Sequence, residues 1–346
     1  MSKRKRTILR VLALLVTVAS ILIFAPWQYG LYYLKPLPAT IQAELDAAVD
    51  SGLDGIIVYI EERGQVPELY ASGWHDRRTK IPAKPDALFK MGSIGKLYDA
   101  AAIAKLAANG TLSLDATVAD YLPSVSTHMS YADQVTVRML VQHRSGIPNY
   151  TDQPGFSWDE AIYTDDNLTL VWDLPPDFTP GSDYSYSNTN YLLLKRIMGR
   201  VLGYDYTQYL RDALLVPLGL KRTFFEMSDV KLEELMSGYY VGYDADFKNL
   251  AQGYIASAAD VGRYVRALND GTLFSDTERE IYASLYEFEH KGWVIGFQST
   301  ARYSKERDAV MVQFVSTTGE NSEMLNNIVS DRVMQILQNR AETSAG

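Results

Sequence analysis

Segments with the character of β-strands occur near both ends of this 346-residue chain. Between them, residues 111–290 mix short helices with loops that are punctuated by proline and glycine. The strand segments are 55–60, 66–71, 292–298, 300–303 and 309–316. Strands from the two ends can bury their apolar faces by pairing with each other across the insert. The sequence therefore predicts an α+β fold, with one antiparallel sheet built from both chain ends and flanked by helices.

Three segments predict helices that pack on this sheet. Thr40 can cap a short amphipathic helix that ends near Gly52. Residues 94–109 are rich in alanine, lack proline and are followed by Gly110, which is a helix stop signal. Near the C-terminus, apolar residues recur at helical spacing, at Leu325, Ile328, Val329, Val333, Ile336 and Leu337.

The first ten residues are strongly basic and precede a long stretch without charge. Residues 1–10 hold five basic and no acidic side chains. Residues 11–34 are uncharged, apolar at first and aromatic at their end, and a membrane span needs about 20 residues. We predict a cytoplasmic tail over 1–10, a single transmembrane helix (a signal anchor) over 11–34, and a body outside the cell membrane. A cleaved signal peptide is the alternative.

Charge and cysteine content exclude several kinds of protein. The whole chain carries a net charge of −9, so removing the five N-terminal positive charges leaves −14 on the remainder. Such an acidic body is a poor partner for nucleic acid. With no cysteine in the chain, disulfides, thiolate metal sites and cysteine nucleophiles are excluded. His75, His128 and His143 are scattered without metal-ligand spacing, and we expect structural or surface roles for them.

Ser93 and Lys96 have the spacing of a nucleophile and its base. They lie three residues apart at the predicted start of a helix, so they share a face with a rise of roughly 4.5 Å. A serine hydroxyl is a weak nucleophile that needs a neighbouring base, and an amine can serve if burial or positive charge lowers its pKa. The motif alone is weak, because Ser-x-x-Lys occurs three times and Ser93 can equally be a helix N-cap.

Two further motifs carry groups suited to acyl-transfer chemistry. Tyr186 offers a phenol for proton transfer, and Asn188 offers an amide to a substrate. At the start of a late strand, His290 precedes Gly292, which allows close backbone approach, and Trp293, whose amide can bind an oxyanion. Taken alone, these are equally a loop tyrosine in a chain with 24 tyrosines and a strand-edge histidine.

In chain order, these motifs resemble those of the serine β-lactamase and penicillin-binding-protein-like superfamily, in particular its class C β-lactamase, D-alanyl carboxypeptidase and esterase branch. The resemblance covers about residues 39–340 and implies a β-lactamase/transpeptidase-like fold. Further matching blocks are Phe89-Lys90-Met91-Gly92-Ser93, Leu140-Val141-Gln142-His143-Arg144-Ser145-Gly146-Ile147-Pro148, Tyr186-Ser187-Asn188-Thr189-Asn190-Tyr191, and Pro217-Leu218-Gly219-Leu220 with Thr223.

The resemblance implies acylation of Ser93 followed by hydrolysis, with no metal or cofactor. The implied roles are Ser93 as nucleophile, Lys96 and Tyr186 in proton transfer, Asn188, His290 and Gly292 in substrate binding, and the amides of Ser93 and Trp293 as oxyanion hole.

The third motif departs from the family pattern. Many relatives begin it with lysine and place a hydroxyl residue next, whereas His290 and Lys291 stand here. Because histidine titrates near 6.5, the fixed positive charge is lost, which makes Lys96 the better base and weakens the anchor for a substrate carboxylate. Lys291 should point away from the His290 side.

We therefore predict a membrane-anchored serine hydrolase that acts on ester, D-alanyl or β-lactam-type amide bonds of a small-molecule or cell-envelope substrate. Ester and D-alanyl bonds are favoured over efficient β-lactam hydrolysis. The alternative is a penicillin-binding sensor or decoy that acylates without turnover. The catalytic domain is predicted over 39–340, with a disordered tail over 341–346. The stretch between Asn188 and His290, which holds Tyr239, Tyr240 and Tyr243, is expected to form one wall of the cleft.

Overall fold

The computed structural model describes residues 3–24, 26–129, 131–158, 165–250 and 253–344. Within these ranges the strands are β1 (Gly55–Glu62), β2 (Glu68–Asp76), β3 (Ile81–Pro82), β4 (Leu88–Lys90), β5 (Thr223–Phe224), β6 (Tyr239–Tyr240), β7 (Ile255–Ser257), β8 (His290–Val294), β9 (Phe297–Ser304), β10 (Ala309–Val315) and β11 (Thr317–Thr318). The helices are α1 (Lys3–Phe24), α2 (Trp27–Leu34), α3 (Ile41–Asp50), α4 (Gly95–Ala108), α5 (Val118–Tyr121), α6 (Pro123–Ser126), α7 (Val137–Val141), α8 (Asn188–Leu202), α9 (Tyr206–Leu210), α10 (Val216–Leu218), α11 (Ala258–Asp270), α12 (Asp276–Leu285) and α13 (Ser322–Ser344).

The main sheet is built from both ends of the chain, as predicted. Its six strands are antiparallel in the order β3-β2-β1-β10-β9-β8. β1 and β10 join the two halves, with Ile56 opposite Val315. Strand boundaries were predicted less well. β2 continues to Asp76 rather than ending at residue 71. Residues 292–298 are divided between β8 and β9, because the chain turns at Gly296 with a positive φ of 83°.

Helices cover both faces of this sheet. Ile57 and Tyr59 of β1 belong to a large core with α4, α8 and α11. Ile56 and Val58 point the other way and belong to a smaller core with α3 and α13. Because both faces are covered, β1 and β10 are apolar over most of their length.

The predicted helices lie close to their expected positions. Thr40 caps α3 by accepting a hydrogen bond from the Ala43 amide. The alanine-rich segment forms α4, and the C-terminal stripe lies within α13. α13 continues to Ser344, so part of the predicted disordered tail is helical, and residues 345 and 346 lie outside the described ranges.

The segment 11–34 does not form the single helix that was predicted. It is divided between α1 and α2, and Pro26 between them has a non-helical backbone. Tyr29 and Tyr32, from the aromatic end of this segment, are buried in the smaller core. Over the described residues, no helix combines the length and the apolar character needed to cross a membrane.

The small sheet β4-β7-β5 positions the segment that carries Ser93, the predicted nucleophile. β4 pairs with β7, with Lys90 opposite Ile255. The chain leaves β4, passes through the 3₁₀ turn Gly92–Ile94 and enters α4. This geometry places Ser93 at the base of α4.

Candidate active site

Backbone contacts on two sides hold the segment that carries Ser93. The Met91 amide donates to the Tyr254 carbonyl oxygen at 2.8 Å, and the Ser299 hydroxyl donates to the Met91 carbonyl oxygen at 2.6 Å. Gly92 then adopts a positive φ of 54°, which is readily available only to glycine. The sequence Met-Gly-Ser therefore makes a tight turn that presents Ser93 at the start of α4.

Ser93 contacts both groups that were predicted to move its proton. Lys96 Nζ lies 3.1 Å from Ser93 Oγ, and the Tyr186 hydroxyl donates to the same oxygen at 2.7 Å. Lys96 also lies over the Tyr186 ring, 4.9 Å from its centroid. Residues 93 and 186 are far apart in the chain, so the fold rather than local spacing brings these three groups together.

Asn188 completes this contact network. Its Oδ1 accepts a hydrogen bond from Lys96 Nζ at 2.9 Å, and its Nδ2 donates to Thr151 Oγ1 at 3.3 Å. Asn149, which was not predicted as a site residue, accepts from the Asn188 amide at 3.0 Å and donates to Thr151 at 2.7 Å. Asn149 directly follows the Ile147-Pro148 block, and this position in the sequence could have identified it as a site residue.

Tyr186 and Lys96 differ in the role that each can play in proton transfer. Burial raises the pKa of Tyr186 to about 12, although the hydrogen bond with Ser93 partly opposes it. Tyr186 is therefore protonated at neutral pH and acts as a donor to Ser93. The only other side chain that contacts the Ser93 hydroxyl among the described residues is the amine of Lys96. The geometry therefore suits Lys96 as proton acceptor.

His143 supports Tyr186 from behind, a contact that sequence reasoning missed. Its ring stacks on the Tyr186 ring with a centroid distance of 4.4 Å, and its Nδ1 accepts a hydrogen bond from the Ser187 amide at 3.2 Å. Burial, helped by the charge of Lys96, lowers the pKa of His143 to about 3. A neutral imidazole thus packs under the phenol, which fits the expected structural role and excludes a surface one.

β8 approaches the nucleophile segment so closely that only glycine fits. A Cβ atom on Gly292 would lie 2.0 Å from the Met91 carbonyl oxygen and 2.9 Å from the Ser93 amide nitrogen. A Cβ atom on Gly92 would lie 2.8 Å from the Trp293 amide nitrogen. The two amides predicted as an oxyanion hole, those of Ser93 and Trp293, therefore both lie at this contact.

Both ring nitrogens of His290 are hydrogen-bonded within the protein. The Tyr286 hydroxyl donates to Nε2 at 2.8 Å, and Nδ1 donates to the Lys291 carbonyl oxygen at 2.5 Å. Burial lowers the pKa of His290 to about 4, and the Glu287 carboxylate at 3.2 Å is too exposed to reverse this. His290 is not among the described residues that line the cavity. The geometry gives no support to its predicted contact with substrate.

Lys291 points away from the site, as the strand geometry predicted. Its Nζ donates to Asn327 on α13 at 2.7 Å. It therefore does not replace the positive charge that relatives carry at the start of this motif.

A cavity of about 730 Å³ opens in front of Ser93. Its wall includes Lys96, Tyr186, Asn188 and Trp293. Residues between Asn188 and His290 do contribute to it, as expected, and they include Tyr206, Phe225, Met227 and Tyr254.

Tyr239, Tyr240 and Tyr243 of this stretch are not among the described residues that line the cavity. Tyr239 donates a hydrogen bond to Asp76 at 3.0 Å, and the Arg77 guanidinium packs over its ring. Tyr240 and Tyr243 pack edge to face against each other. Tyrosine content alone did not indicate which residues face the cavity.

Comparison with known proteins agrees with this geometry. A family model described as Beta-lactamase matches residues 39–331. The chain belongs to the beta-lactamase family. The superfamily expected from the motifs is therefore confirmed.

Among curated proteins, penicillin-binding protein 4 of Amycolatopsis lactamdurans is 36% identical over 236 residues, which are 64% of this chain and 61% of that protein. Protein flp of Staphylococcus aureus (strain MW2) is 29% identical over 206 residues, which are 57% of this chain and 41% of that protein. The matches thus span only about two fifths to three fifths of the length of these relatives.

Solved structures share the fold. D-amino acid amidase from Ochrobactrum anthropi SV3, complexed with L-phenylalanine amide, superposes with a TM-score of 0.75 at 24% identity, covering 87% of this chain and 98% of that one. A penicillin-binding protein from Bacillus halodurans has a TM-score of 0.71 at 19% identity, covering 84% and 99%. At these identities the likeness establishes the β-lactamase/transpeptidase-like α+β fold.

Proposed function

We propose that this protein is a serine hydrolase that forms an acyl-enzyme on Ser93 and acts on ester or D-alanyl amide bonds. The observation that carries the proposal is the position of Ser93 Oγ, 3.1 Å from Lys96 Nζ and 2.7 Å from the Tyr186 hydroxyl. A nucleophile in contact with an amine and a phenol, facing a cavity large enough for a small substrate, suits acyl transfer.

In the acylation step, Ser93 Oγ attacks the substrate carbonyl carbon while its proton passes to Lys96 Nζ. The carbonyl oxygen becomes an oxyanion, which the backbone amides of Ser93 and Trp293 would stabilise. Asn188 keeps the Lys96 side chain directed at Ser93 through its 2.9 Å hydrogen bond. Such positioning of reacting groups lowers the entropic part of the barrier.

The leaving group then needs a proton, and Tyr186 is suited to give it. Its raised pKa, about 12, means that it carries the proton at neutral pH. The phenolate that remains takes back a proton from Lys96 across the shared contact. In deacylation, water attacks the acyl carbon and transfers its proton to the same pair of groups, which releases the acid and restores Ser93.

The charges around the cavity favour substrates with a neutral leaving group. His290 is neutral because burial lowers its pKa to about 4, and Lys291 points toward α13. The cations among the described lining residues are Lys96 and Lys195. A leaving group that carries a carboxylate therefore lacks a cation from β8, whereas an ester alcohol or an uncharged amide needs none. β-Lactams carry that carboxylate and therefore rank below esters and uncharged D-alanyl amides, as does a D-alanyl peptide whose leaving group ends in a free carboxylate.

The test uses the full chain with a short-chain nitrophenyl ester and, separately, a fluorescent penicillin. Mass spectrometry should locate one acyl adduct on Ser93, and Ser93→Ala should lose several orders of magnitude in rate. Ser228→Ala is a matched control, because Ser228 lines the same cavity and also begins a Ser-x-x-Lys pattern. Equal activity in Ser93→Ala and the parent would refute the proposal.

Pre-steady-state kinetics separate a hydrolase from an acylating sensor. Continuous release of nitrophenol beyond one equivalent per protein supports turnover. A burst of one equivalent with no further release would instead identify a sensor or decoy. Fast, saturable hydrolysis of a cephalosporin would contradict the ranking of substrates.

The location of the domain outside the cytoplasm stays a prediction, which we propose from the charge of residues 1–10 alone. Protease added to intact cells should degrade the domain if it faces outward. Complete protection until the cells are lysed would contradict this location.

A further inference from the structure

A second pair of charged side chains lies beside the proton-transfer groups, on the same cavity wall. Asp99 follows Lys96 by one turn of α4, and Lys195 follows Asn188 by two turns of α8. Asp99 is only 2% exposed. Its Oδ2 lies 3.8 Å from Lys195 Nζ, and its Oδ1 accepts a hydrogen bond from the Tyr254 hydroxyl at 2.5 Å. Two facing helices thus each place one ionisable residue next to the site.

A carboxylate at this position works against a lysine base. Residues three apart on a helix face are about 6 Å apart, and Asp99 stabilises the ammonium form of Lys96, which cannot accept a proton. At an effective dielectric constant of about 20, one charge at this distance moves a titration by about two pH units. An ordinary lysine is already protonated at neutral pH, with a pKa of about 10.4, and an uncompensated Asp99 would stabilise that protonated form further.

We propose that Lys195 offsets the charge of Asp99 and so maintains Lys96 in the proton-accepting form that attack by Ser93 requires. In that step the Ser93 O–H bond breaks, the proton bonds to Lys96 Nζ, and Oγ bonds to the acyl carbon. Asp99 and Lys195 act through Lys96 and are positioning residues in this scheme. The inference rests on the proposed function and deepens it, because it explains how the base is kept available.

Burial governs the protonation of the ionisable groups that pack around Asp99 and Lys195. Burial raises the pKa of Asp99 above its ordinary value, and Lys195, the Tyr254 hydrogen bond and Lys96 oppose this rise only in part, so these neighbours are what favour its charged form. The tyrosines packed around the pair are neutral because burial raises their pKa values; they are Tyr191 on α8, Tyr206 on α9, Tyr254 before β7 and Tyr264 on α11.

Two histidines and two carboxylates complete the surroundings of Lys96 and the cavity. His143 and His290 have pKa values lowered to about 3 and about 4, and they are uncharged at neutral pH. Asp205 and Glu226 line the cavity on the segments opposite α4. Their negative charge adds to that of Asp99, so Lys195 is the lining cation that opposes all three.

The experiment measures the pH dependence of kcat/KM for the nitrophenyl ester in full-length variants. Lys195→Met should move the acidic limb of the profile upward by about one pH unit, because a positive charge near Lys96 is lost. Activity at pH 7 should then fall about tenfold and recover at higher pH. Asp99→Asn should move the limb downward, and the double variant should return it close to that of the parent.

Arg200→Met, on the exposed side of α8, is the matched control and should leave the profile unchanged. Lys195→Arg keeps the charge and should restore the parent profile.

If Lys195→Met and Asp99→Asn lower the rate equally at every pH, the pair has only a structural role and the inference is refuted. Failure to acylate the parent at any pH would instead refute the proposed function, and the inference with it. Should Lys195→Met fail to fold, the nearly isosteric Asp99→Asn still decides the outcome.

Discussion

Replacement of Gly292 by alanine tests whether β8 sets the geometry of the nucleophile. The added Cβ would lie 2.0 Å from the Met91 carbonyl oxygen, 2.4 Å from Ser299 Oγ and 2.9 Å from the Ser93 amide nitrogen. Ordinary Cβ contacts are longer than 3.0 Å. β8 and the Met91 segment must therefore separate by about 1 Å, and neither contact atom on the main chain is free to rotate away.

This separation would displace the backbone amides of Ser93 and Trp293, which would bind the oxyanion. Misplacing reacting groups by about 1 Å can lower a rate by roughly 10²-fold, and losing one oxyanion donor costs about 10²–10³ in kcat. We therefore expect Gly292→Ala to lower kcat for the nitrophenyl ester by at least roughly 10²-fold. Overpacking should lower the free energy of unfolding by about 1–3 kcal/mol.

Stopped-flow acylation and urea unfolding of the same preparation distinguish these two effects. Gly199→Ala is the control: it adds the same methyl group inside α8, where the nearest atom lies 3.9 Å away. It should retain full activity and gain about 0.5–1 kcal/mol in stability, since alanine favours helix over glycine. A Gly292→Ala protein with parental kcat would refute the view that this contact aligns Ser93 with Trp293.

Two further predictions concern stability. Arg332→Met should lower the free energy of unfolding by about 3–5 kcal/mol, measured in urea, because the completely buried Glu44 loses its bidentate partner at 2.8 and 2.9 Å. Stability should also fall as pH drops from 6.5 toward 3, because folded His143 resists protonation while the unfolded chain accepts a proton. Between pH 7 and pH 5, His143 should account for roughly 2 kcal/mol of the loss measured by urea unfolding, so His143→Gln should reduce the loss by that amount, while a comparable share from His290 remains.

Each prediction has a matched control in the chain. Arg340→Met removes a half-exposed ion pair with Glu68 and should cost at most about 1 kcal/mol. A similar cost for both arginines would contradict the role of burial. His128→Gln removes a partly exposed imidazole and should leave the pH-dependent loss in place. If His143→Gln also leaves that loss unchanged, another group is responsible for it.

Local patterns predicted those parts of the fold that local physics determines. The helix cap at Thr40 and the alanine-rich α4 depend on neighbouring residues, so their positions could be inferred within a residue or two. Burial alone predicted that strands from the two chain ends share one sheet, whereas the specific pairing of β1 with β10 came from the structure. The contact of Ser93 with Lys96 needed only helical spacing, whereas the contact with Tyr186 needed the resemblance to a family, because 93 positions separate the two residues.

Other features depend on contacts that periodicity does not encode. The end of β8 at Val294 is set by the turn at Gly296, although the surrounding residues remain apolar. His143 looked like a scattered histidine until the fold packed it beneath Tyr186. Asp99 lies in the alanine-rich helix α4. Its partner cation, Lys195, lies on α8, and only the fold shows that the two residues are close. In each case the deciding partner is distant in sequence.

The burial of α2 against the sheet has a practical consequence for where the catalytic unit starts. The family match begins at residue 39, but the Arg332 guanidinium also donates to the carbonyl oxygens of Lys35 and Pro36 at 2.8 and 3.2 Å. The Tyr32 hydroxyl reaches Glu44 at 2.7 Å from the same upstream stretch. Trimming the chain at the family boundary would remove two carbonyl acceptors of Arg332, the hydroxyl donor to Glu44 and buried aromatic surface. The smallest self-sufficient unit should therefore retain the residues from Trp27 onward.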